Sequence, residues 1–200
     1  MLNSAKFMLY YNFAPLNNIL DSLAQTDIEI WNEFKNGDEN ALCFIFDKYY
    51  NTLCSYGYNF TKDIYVIENC VQDIFLELIR RRKKLSNTDN IQFYLMKSLR
   101  RRITRTDNSA QSRLIQFRSD KIIPDNEPII DTDFNKQDNS LQKRKIKASI
   151  DVLPDRQKEV IYLKYYFNFS NPEIAKIMEI KYQTVSNTHQ KALKNLRNSL

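Results

Sequence analysis

Side chains that can hydrogen-bond to the edges of DNA bases recur between residues 182 and 191. Gln183, Asn187 and Gln190 carry amides that can bond bidentately to adenine in the major groove, and the Ser186 hydroxyl can serve either strand. Neighbouring lysines suit phosphates, whose contribution to affinity does not depend on base sequence and is weakened by salt. The spacing predicts a helix that presents one face to solvent or DNA, formed by Tyr182, Gln183, Ser186, Asn187, Gln190, Lys191 and Lys194.

A helix-turn-helix is predicted to hold this face. Ser170 and Glu173 are spaced as a capping box, and Pro172 falls in the first turn, where proline is tolerated. A second helix from about Lys181 would be the one that enters the major groove. A polar helix on the surface of a bundle is the alternative interpretation. The residues predicted to face the core are Val185, Ala192, Leu193 and Leu196. In an earlier helix that starts at Pro154, the residues predicted to face inward are Val160, Ile161, Leu163 and Tyr166.

A second basic surface is predicted on a helix over residues 91–105, after the polar loop "SNTDN". Phe93, Tyr94 and Leu95 are interleaved there with basic side chains, a mixture that can grip a nucleic-acid backbone and hold an unpaired base. The alternative is that the aromatic residues belong to the core and the basic residues are solvated. The basic residues are Lys97, Arg100, Arg101, Arg102 and Arg105.

The stretch "VIENCVQDIFLELI" (66–79) is apolar over a wider arc than a simple surface helix requires. Either it presents a face to a partner helix, or a large core buries both of its sides. The core-facing stripe is predicted to consist of Ile67, Cys70, Val71, Ile74 and Leu78. The other face combines Glu68, Gln72, Asp73, Leu76 and Ile79.

Charge is distributed unevenly along the 200 residues, although the net charge is only +6. Residues 1–78 hold four basic against eleven acidic residues, whereas residues 79–106 hold ten basic residues and one acid. Residues 115–140 are acidic again, and residues 141–200 hold twelve basic against five acidic residues. Two basic blocks separated by an acidic stretch predict two contacts with one polyanion; solvated helix faces are the alternative.

Composition argues against an enzyme and against a bound cofactor or metal. Gly37 and Gly57 are the sole glycines of the sequence, too few for a phosphate-binding glycine loop, and His189 is the sole histidine. The three cysteines form no CxxC pair and are expected to be free thiols. Without a signal peptide or an apolar run of about 20 residues, a cytoplasmic protein is expected.

Helical periodicity without strand alternation predicts an all-α fold of two small four-helix domains joined by an acidic linker. In the N-terminal domain, Thr26 or Asp27 is predicted to cap a short helix ending at Gly37, and Asp38 to cap a longer helix through Phe60. The predicted organisation is an N-terminal extension (1–26), a first domain (27–114), a linker (115–140) and a helix-turn-helix domain (141–200).

Three segments in this order resemble the sigma-70 family of bacterial RNA polymerase sigma factors, in particular the extracytoplasmic-function group. They are "IWNEFKNGDENALCFIFDKYYNTLCSYGYNFTKD", "IENCVQDIFLELI" and the stretch from "LPDRQKEV" to "KNLR". The second is similar to the family's Glu-Asp-Leu-Val-Gln-Glu-Val-Phe motif. "FYLMKSLRRRI" and "TVSN" look most like sigma factors of Bacteroidetes.

The resemblance implies a subunit that binds core RNA polymerase through the β′ clamp and β flap and directs it to promoter DNA. It also implies a membrane-tethered anti-sigma factor, no small-molecule substrate and a monomeric free protein. The implied polymerase contacts are Glu68, Gln72, Asp73 and Leu76. The implied minus-ten contacts are Asn87, Tyr94, Lys97, Arg100, Arg101 and Arg105, and the implied minus-thirty-five contacts are Tyr182, Gln183, Thr184, Ser186, Asn187, Gln190 and Lys191.

Three positions depart from the family pattern. Arg101 stands where many members have Asn, Lys181 where a capping Ser is usual, and Ser186 where a basic residue is usual. Other interpretations are a dimeric helix-turn-helix regulator, a polymerase-binding decoy without promoter recognition and, remotely, a helical enzyme.

Overall fold

A computed structural model describes residues 25–107 and 140–199 of the chain, with side chains over 25–105 and 145–199. Both described ranges are helical and neither contains a strand, which confirms the predicted all-α fold class. The predicted linker (115–140) lies outside the described residues except for Ser140, and the predicted extension (1–26) lies outside them except for Gln25 and Thr26.

Four helices form the N-terminal domain, and their ends follow from local capping. Thr26 and Glu29 form a capping box at the first helix, which ends at Gly37 with φ 105°, a left-handed conformation that glycine adopts readily. Asp38 and Asp63 accept backbone hydrogen bonds at the starts of the next two helices. The helices are α1 (Asp27–Asn36), α2 (Glu39–Gly57), α3 (Ile64–Arg81, followed by a 3₁₀ turn, Arg82–Lys84) and α4 (Ile91–Asp107).

The prediction that α2 continues through Phe60 was wrong by three residues. After Gly57 the chain forms tight turns, with the Asn59 amide donating to the Tyr56 carbonyl and the Phe60 amide to the Gly57 carbonyl. These i to i+3 bonds replace the α-helical pattern because the polar "TKD" segment and the Asp63 cap start a new helix shortly afterwards.

Four more helices form the C-terminal domain. Ser170 and Glu173 form the predicted capping box at the start of the third of them. Glu179 adopts a left-handed conformation (φ 55°) in the turn, and the Ile180 amide donates to the Ala175 carbonyl over 3.0 Å, which closes the helix-turn-helix. The helices are α5 (Ser140–Asp151), α6 (Asp155–Ile161, continuing as a π-helical turn, Tyr162–Tyr166), α7 (Asn171–Met178) and α8 (Tyr182–Ser199).

Two residues expected to face the core are substantially exposed instead. Tyr166 is 42% exposed, because the π-helical turn, in which the Phe167 amide bonds to the Tyr162 carbonyl, rotates it away from the stripe of the buried Leu163. Leu193 is 38% exposed, because it follows the buried Ala192 by one residue and points about 100° away from it. Val160, Ile161 and Val185 are buried as expected.

The hydrophobic core is continuous across the two domains. Trp31, Tyr56 and Phe75 are fully buried in the N-terminal domain, and one cluster joins them to the buried Leu163 and Phe169 of the C-terminal domain. α4 packs directly against α7. In the described residues, the two domains therefore pack directly against each other.

Gly57 lies in close contact with the core of the N-terminal domain. A Cβ atom at Gly57 would lie 2.6 Å from Cγ2 of Ile67, a fully buried and branched side chain. We expect Gly57→Ala to lower the free energy of unfolding by about 1–3 kcal/mol, since overpacking forces shifts in a close-packed core. Thermal denaturation followed by circular dichroism measures this, with the exposed Asn51→Ala on the same helix as the control. Equal melting temperatures for the two variants would contradict it.

Candidate polymerase and nucleic-acid interfaces

The face of α3 that points away from the core is mixed in chemistry and open to solvent. Leu76 and Ile79 are 37% and 39% exposed, and Gln72 and Asp73 lie beside them on the surface. The stripe predicted to be core-facing is buried throughout. A core that buries both sides of α3 is thereby excluded, and the interpretation as a partner-binding face is favoured. Glu68 is half-buried and accepts a hydrogen bond from the Tyr50 hydroxyl at 3.2 Å.

Arg102 fixes this face against α4. Its guanidinium forms ion pairs with Asp73 and Glu77, both at 2.9 Å. Hydrogen bonds from Arg81 and Arg102 lower the pKa of Glu77, so this carboxylate stays ionised and paired. From the sequence, Arg102 was one of several candidate DNA contacts. In the structure it positions α3 instead, because its carboxylate partners face it from the neighbouring helix.

The polar loop 86–90 is held in place by α1. The Trp31 indole N–H donates to the Ser86 carbonyl at 2.9 Å, and the Lys35 ammonium donates to the Asn87 side-chain oxygen at 2.5 Å. Asn90 caps α4 by accepting from the Phe93 amide at 2.8 Å. Asn87 remains exposed within this frame. Neither Trp31 nor Lys35 could be recognised from the sequence as a positioning residue, since each lies more than 50 positions before the loop residue that it contacts.

The predicted minus-ten residues on α4 differ in their exposure and in their partners. Arg101 and Arg105 are exposed, and Lys97 is half-buried. The ring centroid of Tyr94 lies 5.1 Å from that of Trp31, and burial raises the pKa of its hydroxyl. The aromatic side chains of this helix are thus half-buried between the core and the surface, and nucleic-acid binding by this face stays a prediction. Arg100 differs from the others because it forms an ion pair with Glu159 of α6 at 2.7 Å.

α8 presents its polar face to solvent as the spacing predicts. Val185 and Ala192 are fully buried on the opposite side. The Gln183 side-chain amide donates to the side-chain oxygen of Asn187, one turn further along the helix, at 3.2 Å. The Tyr165 hydroxyl and His189 are 2.9 Å apart at the edge of this face. Of the predicted contacts, Ser186 is half-buried, and the exposed ones are Tyr182, Gln183, Thr184, Asn187, Gln190 and Lys191.

Neither a metal-binding cluster nor a membrane-spanning helix is found in the part of the chain that the structure describes. Within residues 25–107 and 140–199, no three His, Cys, Asp or Glu side chains lie together as a metal site would require. In the same ranges no helix combines the length and hydrophobicity needed to cross a bilayer.

The fold and these surfaces define a two-domain helical protein with a helix-turn-helix and a second basic face. Residues 45–111 match the family model for sigma-70 region 2, and residues 143–196 match that for sigma-70 region 4. Together the two matches cover more than half of the chain, which belongs to the sigma-70 family of RNA polymerase sigma factors. The predicted resemblance is confirmed, including the order of the two regions.

Solved structures share the fold at low sequence identity. CnrH in complex with the cytosolic domain of CnrY is 14% identical with a TM-score of 0.58, and the match covers 87% of this chain and 96% of that chain. The sigma factor RpoE of Bartonella quintana, in complex with the anti-sigma factor NepR, is 18% identical with a TM-score of 0.56, over 80% and 94% of the respective chains. No curated protein matches the chain significantly.

Proposed function

We propose that this chain is a non-catalytic, dissociable subunit that directs core RNA polymerase to specific promoters and initiates transcription there. The observation that carries the proposal is the combination, in one member of the sigma-70 family, of an exposed mixed face on α3 with two further exposed polar faces, one basic on α4 and one rich in amides on α8. Acting on the chromosome, it would work in the cytoplasm. Placement among Bacteroidetes sigma factors remains a prediction from the sequence.

Each domain has a separate task in this proposal. Residues 27–114 bind the polymerase clamp and the minus-ten element, and residues 141–200 bind the minus-thirty-five element. Residues 1–26 are an extension and 115–140 a linker. The supporting observation is that the α3 face and the α4 basic residues lie in one domain, whereas the α8 polar face lies in the other.

The polymerase contact is assigned to the exposed part of α3. Leu76 would bury its apolar side chain against the β′ clamp, while Gln72 and Asp73 would form polar contacts around it. Glu68, held by Tyr50, would lie at the margin of the same surface. Because Arg102 fixes Asp73 against α4, polymerase would meet a surface that is already ordered, which lowers the entropic cost of binding.

Minus-ten recognition is assigned to the loop 86–90 and to α4. Asn87, held by Lys35, would contact an unpaired base, with Tyr94 beside it, while the basic side chains neutralise phosphates. The proposed phosphate-binding residues are Lys97, Arg100, Arg101 and Arg105.

Removing both exposed arginines of α4 tests this assignment. We expect the double variant Arg101→Ala, Arg105→Ala to reduce the salt dependence of promoter binding by holoenzyme. The slope of the logarithm of the association constant against the logarithm of the salt concentration should become less negative by about 1 to 2. The matched control is Lys62→Ala, an exposed basic residue between α2 and α3. A slope unchanged from wild type would show that these arginines do not contact DNA phosphates.

Minus-thirty-five recognition is assigned to the exposed face of α8. Gln183, Asn187 and Gln190 would read base edges, Ser186 and Thr184 would support them, and Tyr182 and Lys191 would flank them on the backbone. With Ser186 where a basic residue is usual in the family, the bases it selects are expected to differ from those of better-known members.

Promoter binding by this chain should depend on polymerase. Two modest contacts on one rigid holoenzyme reinforce each other through effective concentration, so neither domain needs to bind DNA well alone. We expect core polymerase to raise promoter affinity by about 10²-fold or more in a gel-shift titration. Tight, specific binding by the free chain would contradict the proposal and favour a dimeric regulator, which sedimentation would reveal as a dimer.

An anti-sigma factor is proposed as a further partner. The fold is shared with CnrH, solved with the cytosolic domain of CnrY, and with RpoE, solved with the anti-sigma factor NepR. A membrane-tethered protein whose cytoplasmic part covers both domains would hold the chain inactive. The test is co-purification with the product of a neighbouring gene, and its absence would count against this partner.

A further inference from the structure

A buried charged contact joins the middle of α4, in the N-terminal domain, to α6, in the C-terminal domain. Glu159 of α6 is 5% exposed, and one of its oxygens accepts hydrogen bonds from both the Arg100 guanidinium and the Tyr56 hydroxyl, each at 2.7 Å. Tyr56 and Arg100 belong to the N-terminal domain and Glu159 to the C-terminal domain. The contact therefore exists only while the domains are packed together.

The chemistry of this contact makes it selective for the packed arrangement. A carboxylate this deeply buried is tolerated only when it is paired and hydrogen-bonded. Burial, followed by the charge of Glu159, raises the pKa of Tyr56 well above its usual value, so the hydroxyl keeps its proton and remains a donor. When the domains separate, water takes over the hydrogen bonds of Tyr56, Arg100 and Glu159. The Glu159 carboxylate and the Arg100 guanidinium are then free to bind other groups.

Aromatic packing surrounds the charged contact. The Tyr56 and Phe167 rings lie 5.8 Å apart edge to face, and the Phe93 and Phe169 rings lie 6.2 Å apart in a similar geometry. Phe169, just before the helix-turn-helix, is 4% exposed because the N-terminal domain covers it. Apolar burial thus provides the attraction between the domains, and the charged contact fixes their register.

We infer that this chain has a closed state in which the Glu159 carboxylate is paired with the Arg100 guanidinium. This ion pair acts as a latch between the domains. Arg100 is one of the phosphate-binding residues proposed on α4, and in the closed state its side chain is only 19% exposed and directed at Glu159. DNA phosphate and the Glu159 carboxylate compete for the same guanidinium. Opening is therefore coupled to DNA binding, and any partner that separates the domains frees Arg100. The DNA part of the inference rests on the proposed function, whereas the closed state does not.

Glu159→Gln tests the latch in the full-length free chain. The amide has nearly the same shape but no charge, so Arg100 loses its ion pair, and the ratio of closed to open chains should fall about tenfold or more. Tyr56→Phe removes only the hydroxyl and should produce a smaller shift in the same direction. Glu179→Gln, an exposed change of the same type in the C-terminal domain, is the control and should not alter the ratio.

Small-angle X-ray scattering of the free proteins measures the ratio without polymerase or a promoter, and circular dichroism checks that helix content is retained. Wild-type scattering that fits the closed structure, with a larger radius of gyration for Glu159→Gln than for Glu179→Gln, is the expected result. An extended wild type, or a Glu159→Gln variant as compact as the control, would overturn the latch. A failure of promoter-specific transcription would overturn the proposed function and leave this measurement intact.

Competition for Arg100 has its own readout. With single-stranded DNA of mixed sequence as the probe, Glu159→Gln should bind about threefold or more tightly than Glu179→Gln at low salt, since both variants lose one negative charge but only one frees Arg100. Equal affinities for the two variants would overturn the competition between DNA and Glu159.

Discussion

Replacing Leu76 with glutamate is expected to weaken the binding of this chain to core RNA polymerase by about 30-fold or more, equivalent to ~2 kcal/mol. Leu76 lies at the centre of the exposed face of α3, flanked by Gln72 and Asp73. A carboxylate there would be desolvated without a partner when the surface is covered. Because Leu76 is more than a third exposed in the free chain, the variant should keep its fold.

Ile28→Glu is the matched control for this change. Ile28 is 49% exposed on α1 and lies outside the proposed polymerase surface, so the same loss of an apolar side chain and gain of charge should leave core binding unchanged. Fluorescence anisotropy with labelled protein and purified core enzyme gives both affinities. If Leu76→Glu binds core as tightly as wild type, α3 is not the polymerase contact.

Loss of two amide side chains from α8 is expected to cause the other large effect, a loss of transcription. Removing both amides, with Gln183→Ala and Asn187→Ala, should reduce transcription from promoters that depend on a minus-thirty-five element by about 30-fold or more, because each bidentate base contact contributes ~1–3 kcal/mol of discrimination. Both side chains are exposed, and the hydrogen bond between them joins two residues of the same helix. The fold should therefore be unaffected and core binding unchanged.

Asn198→Ala is the corresponding control. Asn198 is exposed near the end of the same helix, eleven residues beyond Asn187. Its loss should change neither promoter selection nor stability. The measurement is multiple-round transcription with saturating holoenzyme on promoters with and without the upstream element. Equal losses on both kinds of promoter would indicate a general defect and would contradict base recognition by these amides.

The parts of the fold that depend on local physics could be predicted from the sequence. The capping boxes at Thr26 and Ser170 and the left-handed Gly37 involve residues at most a few positions apart. The division of α3 into a buried stripe and an exposed face follows from its periodicity. For the same reason, the outward face of α8 and its residues could be listed before the structure was known.

Contacts between distant positions could not be predicted in this way. Tyr56 and Glu159 are 103 residues apart, and Trp31 and Ser86 are 55 apart, so no local pattern links them. Arg100 and Arg102 appear equivalent in the run "RRR", yet one pairs with Glu159 and the other with Asp73 and Glu77. Their roles depend on which helices pack beside α4.

The exposure of Tyr166 could not be predicted from helical periodicity. An α-helical wheel places Tyr166 with Leu163, but the chain forms a π-helical turn over Tyr162–Tyr166. Periodicity assumes 3.6 residues per turn throughout, so a local change to the wider π-helical turn shifts the positions of the side chains in it.

Run-off transcription is the first measurement to make on this chain, because it tests promoter-directed initiation itself. Core polymerase from a related bacterium would be supplied with a pool of genomic promoter fragments, with and without this chain. We expect discrete new transcripts that appear only with the chain and whose start sites share two upstream sequence elements. Absence of transcripts despite binding to core would contradict promoter recognition and leave a polymerase-binding decoy. Failure to bind core would contradict a role as a sigma subunit altogether.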